Sequence, residues 1–214
     1  MQQLIEGVHR FRSEDFGRYR ELFAKLSTEG QKPHTLFITC SDSRVIAELI
    51  THSQPGDLFV VKNVGNIVPP SSAVGSTNST AAAIEFAVQV LQVNDIVVCG
   101  HSQCGAMSGL MDGVPDAPAL PHLREWLELA APVRQVIEEK YVHLPGPEQR
   151  VTAAAEENVL FALENLRTYP VVQARLTDGS LHLHAWFFKI ATAELFIYDP
   201  QAKQFAPLPA TGSA

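Results

Sequence analysis

An α/β fold, built on a parallel sheet with helices on both faces, is what this 214-residue sequence predicts. Three observations lead there. Apolar runs of strand length recur without polar interruption, at "TLFITC" (35–40), "DLFVVKN" (57–63) and "NDIVVCG" (94–100). Stretches with apolar residues every three to four positions separate them. Strands that are apolar on both sides belong to parallel sheets buried between helices, and the alternation supplies the crossovers.

The elements follow in order. Leu4, Val8 and Phe11, then Phe16, Tyr19, Phe23 and Leu26, repeat at helical spacing among charges, so residues 1–30 read as two helices forming an arm. An apolar-faced arm needs cover, which a second subunit can give. "EGQKP" (29–33) ends the pattern before the first strand. "RVIAELITH" reads as a short helix, and "TAAAIEFAVQVLQ" (80–92) as an alanine-rich one. "CGAMSGLM" opens another helix after the third strand, and "DGVPDAPALP" (112–121) is a proline-rich loop. "HLREWLELAAPVRQVIEEKY" and "EQRVTAAAEENVLFALENLRTY" read as two long amphipathic helices. "PVVQARL", "LHLHAWFFKIA" and "AELFIYD" read as closing strands, with hairpin punctuation at "TDGS".

Composition narrows the function classes. Sixteen basic against 23 acidic residues give a net charge of −7, which argues against nucleic acid or an anionic membrane as partner. The longest apolar runs are too short to span a bilayer, and the amino terminus has no apolar signal core, so a cytoplasmic location is expected. Three cysteines, 40, 99 and 104, are too few and too odd for a disulfide framework, which points to metal or catalytic use.

Two clusters fall at carboxyl ends of predicted strands, where crevices of open α/β sheets form. "CSDSR" (40–44) follows "TLFIT", and "GHSQCG" (100–105) follows "DIVVC". Cys40, His101 and Cys104 would make three ligands of a tetrahedral zinc with the fourth place open, the arrangement of catalytic rather than structural sites. Asp42 can reach that fourth position, and Arg44 can draw it away through a bidentate pair. Taken singly, each residue is more often structural: a buried cysteine, a hydrogen-bonded histidine, a loop ion pair. Their joint placement carries the signal. Cys99, in mid-strand, reads as core. His52, His182 and His184 read as helix-end or strand-face histidines.

"CSDSR" followed by "GHSQCG" resembles the signature pair of the β-class carbonic anhydrases. "LFVVKNVGNIVPP" (58–70), "AAIEFAVQVLQVNDIVVCGHSQCGAM" (82–107) and "LHLHAWFFKIATAEL" extend the resemblance, which looks closest to cyanobacterial and related bacterial members. It implies a sheet of four parallel strands with an added antiparallel edge strand, helices on both faces, an N-terminal arm (1–30) in a dimer contact and a zinc-binding catalytic domain (31–214). The implied activity, a lyase reaction, is reversible hydration of carbon dioxide to bicarbonate by zinc-bound hydroxide. The implied ligands are Cys40, His101 and Cys104, with Asp42 as fourth ligand in a closed form and paired with Arg44 in an open one. Gln31 matches the substrate-orienting glutamine. Phe59, Val64 and Phe86 match pocket-wall positions, and Gly105 supplies a backbone amide near the substrate oxygens. The family's unit is a homodimer, possibly doubled to a tetramer.

Departures from the family sharpen these expectations. A regulatory bicarbonate pocket of Trp, Arg and Tyr would fall on Phe37, Lys62 and Phe188, which cannot build it, so it is expected to be absent. Asn78-Ser79-Thr80-Ala81 replaces a glycine-rich turn, with the expectation of restricted backbone and crowding there. His184-Ala185-Trp186 likewise adds a methyl where glycine is usual. An alternative therefore stands beside the enzyme: a zinc-bearing homologue with reduced or lost activity, serving as a structural or binding subunit. A zinc nucleobase deaminase would need a His-x-Glu, which "HSQC" lacks.

Overall fold

The computed structural model describes residues 1–73, 77–114 and 119–208. Its centre is a six-stranded sheet in the order β2-β1-β3-β4-β5-β6. The strands are β1 (Thr35–Cys40), β2 (Leu58–Asn63), β3 (Asp95–His101), β4 (His182–Lys189), β5 (Glu194–Asp199) and β6 (Gln204–Pro207). The first four run parallel; β5 and β6 are antiparallel, one more edge strand than the sequence suggested. β6 is only four residues long and half-buried, too short to show a period.

Leu36 and Ile38 of β1 face one side with Ile96 and Val98 of β3. There they meet α4 (Ser79–Glu85), α8 (Pro147–Arg167) and α9 (Pro170–Thr177) through Ile84, Val159, Leu166 and Val172. Phe37, Val97, Cys99 and Phe188 point the other way and pack with Ala47 of α3 (Ala47–Thr51). Cys99 is fully buried, as the core reading requires. A further core lies between α5 (Gly105–Asp112), α6 (Pro121–Glu128), α7 (Ala131–Lys140) and α8, with Cys40 and Cys104 at its margin.

Residues 2–29 form α1 (Gln2–Arg10) and α2 (Phe16–Glu29), joined by a π-helical stretch that keeps helical backbone angles at its ends. Neither helix buries a residue, and Leu4, Ile5 and Val8 are more than half exposed.

Three sequence expectations change. "PVVQARL" is helix α9, not a strand: Pro170 occupies its first turn, and the Tyr169 carbonyl accepts from Val172 and Gln173 N–H. Proline at that position is pre-set for helix and loses no needed donor, which outweighs the β preference of two valines. "TDGS" consequently links a helix to β4, with Gly179 at φ +76° and Asp178 Oδ1 accepting from Ser180 N–H. "HLREWLELAAPVRQVIEEKY" is two helices, because Pro132 sits in the first turn of α7 and the chain turns at Leu129-Ala130. Of the loop "DGVPDAPALP", residues 115–118 lie outside the described residues.

Candidate metal centre

β1 has β2 on one side and β3 on the other, so the chain reverses its winding direction at the β1–β3 boundary. Crevices open at such a point, beyond the carboxyl ends of the strands. Thr39 is in register with Cys99, which brings Cys40 and His101 to the ends of neighbouring strands at that boundary. The turn after β3 places Gln103 at φ +54°, and Cys104 then precedes the first turn of α5.

One nitrogen of His101 and the two sulfurs of Cys40 and Cys104 lie within 4.8 Å of one another, all three residues buried. Tetrahedral zinc with two thiolates and an imidazole sets its ligand atoms about 3.5–3.8 Å apart, so small rotations suffice. His101 Nδ1–H donates to the Ser102 carbonyl at 2.9 Å, which leaves the lone pair on Nε2. Nε2 is buried without a hydrogen-bond partner. An orphaned imidazole nitrogen facing two thiols is costly in a bare protein and satisfied by a cation.

The thiols are poised for that role. Cys40 is pulled well below its ordinary range, chiefly because the Cys104 thiol donates to it, against the opposing effect of burial; the Asp42 and Gly65 amides assist. Those two amides sit 3.4 Å from its sulfur. Cys104 is pushed well above its ordinary range by its bond to Cys40 and by burial. The pair thus sheds one proton readily and holds the other until positive charge arrives.

Asp42 is turned toward Arg44. Arg44 Nε donates to Oδ1 at 3.0 Å, Nη2 to Oδ2 at 2.7 Å, and the Arg44 backbone N–H to Oδ1 at 2.9 Å. These bonds hold the carboxyl far below the usual carboxylate range. Arg44 Nη2 also donates to the Gln103 carbonyl, tying together the loops that carry Cys40 and Cys104. Asp42 Oδ2 stands 4.0 Å from His101 Nε2, beside the cluster. Lys62 donates to the Asp42 and Val45 carbonyls at 3.1 and 2.7 Å, so the lysine braces this loop from below.

Val64 and Gly105 line one cavity of about 450 Å³ near Cys104, together with Ala106 and Leu123. Gln31, Phe59 and Phe86 are elsewhere in the same chain. Phe59 is in register with Leu36, four residues before Cys40 and about 13 Å from it along the strand. Phe59 packs on Phe86 with ring centroids 5.8 Å apart. Gln31 is exposed ahead of β1, at the opposite edge of the sheet from Cys40.

The turn at 78–81 is not strained. Asn78 has φ −134° and caps α4 by accepting from Ala81 N–H, so extended backbone serves where glycine was expected. The Thr80 hydroxyl accepts from Asn63 Nδ2. Ala185 is accommodated in the core. His184 Nε2 and Asp95 Oδ1 share a 2.7 Å hydrogen bond at the far edge of the sheet, with His182 beside them.

What the sequence did not single out is the support of the loop after β2. Asn63 Nδ2 donates to the Ile67 carbonyl, Asn158 Nδ2 to Gly65, Asn165 Nδ2 to Val68, Tyr169 Oη to Pro69 and Trp126 Nε1 to Val64. Asn158, Asn165 and Tyr169 share one face of α8 and its end at spacings of seven and four. Buried asparagines in an otherwise apolar stripe are the signal that could have revealed them.

The family described as carbonic anhydrase matches residues 35–195 of this chain. The carbonic anhydrase of Synechocystis sp. is 46% identical over 199 residues, covering 93% of this chain and 71% of that protein. That of Pseudomonas aeruginosa is 40% identical, over 97% of this chain and 92% of its own length. Among solved structures, the β-carbonic anhydrase CcaA superposes with a TM-score of 0.92 at 44% identity, over 97% of this chain and 99% of that one. One of two tetrameric β-carbonic anhydrases from the filamentous ascomycete Sordaria macrospora gives 0.81 at 31% identity, over 92% and 95%. With its fold, its buried cysteine–histidine–cysteine cluster and these relatives in agreement, the chain belongs to the β-class carbonic anhydrases.

Proposed function

We propose that this chain catalyses the reversible hydration of carbon dioxide to bicarbonate, with Cys40, His101 and Cys104 holding zinc and Asp42 and Arg44 as the catalytic pair. The observation that carries this reading is Asp42 fixed by three hydrogen bonds from Arg44 beside the ligand cluster. When bound, zinc supplies the Lewis acidity that makes a water nucleophilic near neutral pH. Asp42 keeps a lone pair free to accept a hydrogen bond from that nucleophile and so to orient it toward carbon dioxide. Arg44 holds Asp42 ionised and off the metal. Val64 shapes an apolar wall for an apolar substrate, and the Gly105 N–H, at the start of α5, faces developing negative charge. The product proton passes to buffer.

Gln31, Phe59 and Phe86 act in this scheme across a subunit boundary. Phe59 and Phe86 pack together about 13 Å from their own Cys40, and Gln31 lies ahead of β1, so a second copy of the chain presents them to its substrate. Residues 1–30 are the arm that grips this partner: their exposed Leu4, Ile5 and Val8 gain cover in a homodimer, alone or doubled to a tetramer. No described helix is long and apolar enough to cross a membrane, and the cytoplasm is the proposed location.

Stopped-flow carbon dioxide hydration by the zinc-loaded protein, between about pH 6.5 and 9, tests the reading. A rate rising with pH and reduced about 100-fold or more in Asp42→Asn is expected. Rates at the buffer level, with one zinc per chain, would leave the inactive-homologue alternative.

A further inference from the structure

The peptide unit between Val64 and Gly65 is gripped at both ends. Its N–H, on Gly65, points at Cys40 Sγ from 3.4 Å. Its carbonyl, on Val64, accepts from Trp126 Nε1 at 2.7 Å, across 62 residues of sequence. The two bonds therefore form one chain: indole N–H to carbonyl, then amide N–H to sulfur. A peptide whose carbonyl is engaged becomes a better donor at its nitrogen, with strengthening of about 10–30% per bond. Gly65 itself stands at φ +79°, in the left-handed region, and the next residue, Asn66, at φ +46°. Such a segment does not hold its own conformation; β1, β3, α5 and α8 pack against it, and Trp126, on α6, adds a hydrogen bond to its first carbonyl.

We infer that Trp126 is a positioning residue for the metal centre, fixing and polarising the Val64–Gly65 peptide so that its N–H supports the Cys40 thiolate. The inference rests on Cys40 being a zinc ligand. It has two consequences that ring packing alone would not produce. The amide bond takes electron density from the sulfur and thereby moderates its donation to a metal. It also aims the sulfur before metal arrives, and partners outside the ligand set are worth about 10- to 100-fold in metal affinity.

Trp126→Phe keeps an aromatic ring and removes only the indole donor. In the cobalt(II)-substituted full-length protein, the thiolate-to-cobalt charge-transfer band should move to longer wavelength as the sulfur becomes more electron-rich. Zinc affinity, measured by competition with a chelator, should fall about tenfold because the sulfur is less well aimed. Tyr169→Phe is the control, since it deletes a donor to the same loop five residues beyond the Val64 carbonyl, at the Pro69 carbonyl; it should lower stability and leave the band in place. An unchanged band and affinity in Trp126→Phe, or an equal shift in Tyr169→Phe, would overturn the inference. Should Trp126→Phe not fold, 5-fluorotryptophan incorporated into Trp186→Phe protein gives Trp126 a more acidic N–H. That should shift the band to shorter wavelength, and no shift would again overturn it. Absence of any thiolate band in the wild-type cobalt protein would instead sink the metal assignment on which the inference stands.

Discussion

Gly65→Ala tests whether the loop after β2 and the first turn of α5 fit as closely as the geometry says. A Cβ on Gly65 would lie 2.8 Å from Ala106 Cβ and 3.2 Å from Met107 Cε. Unstrained carbon contacts fall at about 3.5–4.0 Å, so the first pair must separate by roughly 1 Å. Ala106 is two residues beyond Cys104, in the buried first turn of α5, and cannot retreat without moving that sulfur. Forcing alanine into the left-handed region costs about 1–2 kcal/mol, and overpacking about 1–3 kcal/mol more. The sum, roughly 2–5 kcal/mol, corresponds to a Tm lower by roughly 4–20 °C for a chain of this length. Gly105→Ala is the comparison, since no heavy atom lies within 4 Å of its would-be Cβ and its φ is ordinary. Calorimetry of both zinc-loaded variants should show a large drop for Gly65→Ala and a change within about 2 °C for Gly105→Ala. Equal melting temperatures for wild type and Gly65→Ala would refute the reasoning.

Tyr169→Phe leaves the buried Pro69 carbonyl without its donor and should cost about 1–2 kcal/mol in denaturant unfolding; no shift in midpoint would mean that the bond is not formed. Burial pushes the Cys99 thiol up to about 12 from its ordinary 9.0, although Thr39 opposes this, and raises Tyr169 to about 12. Both groups keep their protons in the folded state where the unfolded chain releases them. Stability should therefore be full below about pH 9 and fall through pH 12, at about 1.4 kcal/mol per unit and group. Cys99→Ala should flatten the earlier part of that fall, and an unaltered slope would count against the buried-thiol origin. Zinc uptake at pH 7 should release about one proton rather than two, because the hydrogen-bonded Cys40–Cys104 pair favours holding a single shared proton. Calorimetric titration in buffers of different ionisation enthalpy reads that number directly, and a value near two would contradict the shared-proton picture.

The parallel core was legible because its strands are buried on both faces: "TLFIT" and "DIVVC" have no solvent-facing alternation to confuse with an amphipathic helix. The meeting of Cys40, His101 and Cys104 was legible for a related reason. Strand ends converge at a topological switch, so residues sixty apart meet without any knowledge of side-chain packing. Elements decided by tertiary context were not. "PVVQARL" has strand composition, yet Pro170 and the docking of Val172 on the sheet make it a helix. Trp126 stands in "REWLE", whose charges suggest a solvated face. Its carbonyl partner is 62 residues away and cannot be found from local pattern. For Gln31, Phe59 and Phe86, which the family resemblance suggested as pocket residues, sequence gives no hint that they sit far from Cys40 within their own chain.

The loop from Val64 to Pro69 owes its shape to donors that arrive late along the chain: Trp126, Asn158, Asn165 and Tyr169, up to 100 residues downstream. Closing contacts of that separation is slow and entropically costly, so the amide facing Cys40 cannot be in place until the long helix α8 has docked. Competence to capture metal is then acquired near the end of folding, not on a preformed fragment. The reverse path follows the same order. Asn158, on α8, holds the Gly65 carbonyl, so loosening this loop goes with undocking of a core helix. Hydrogen exchange at the Gly65 amide should therefore track the undocking of α8, and a zinc ion held by Cys40 would exchange on the same clock.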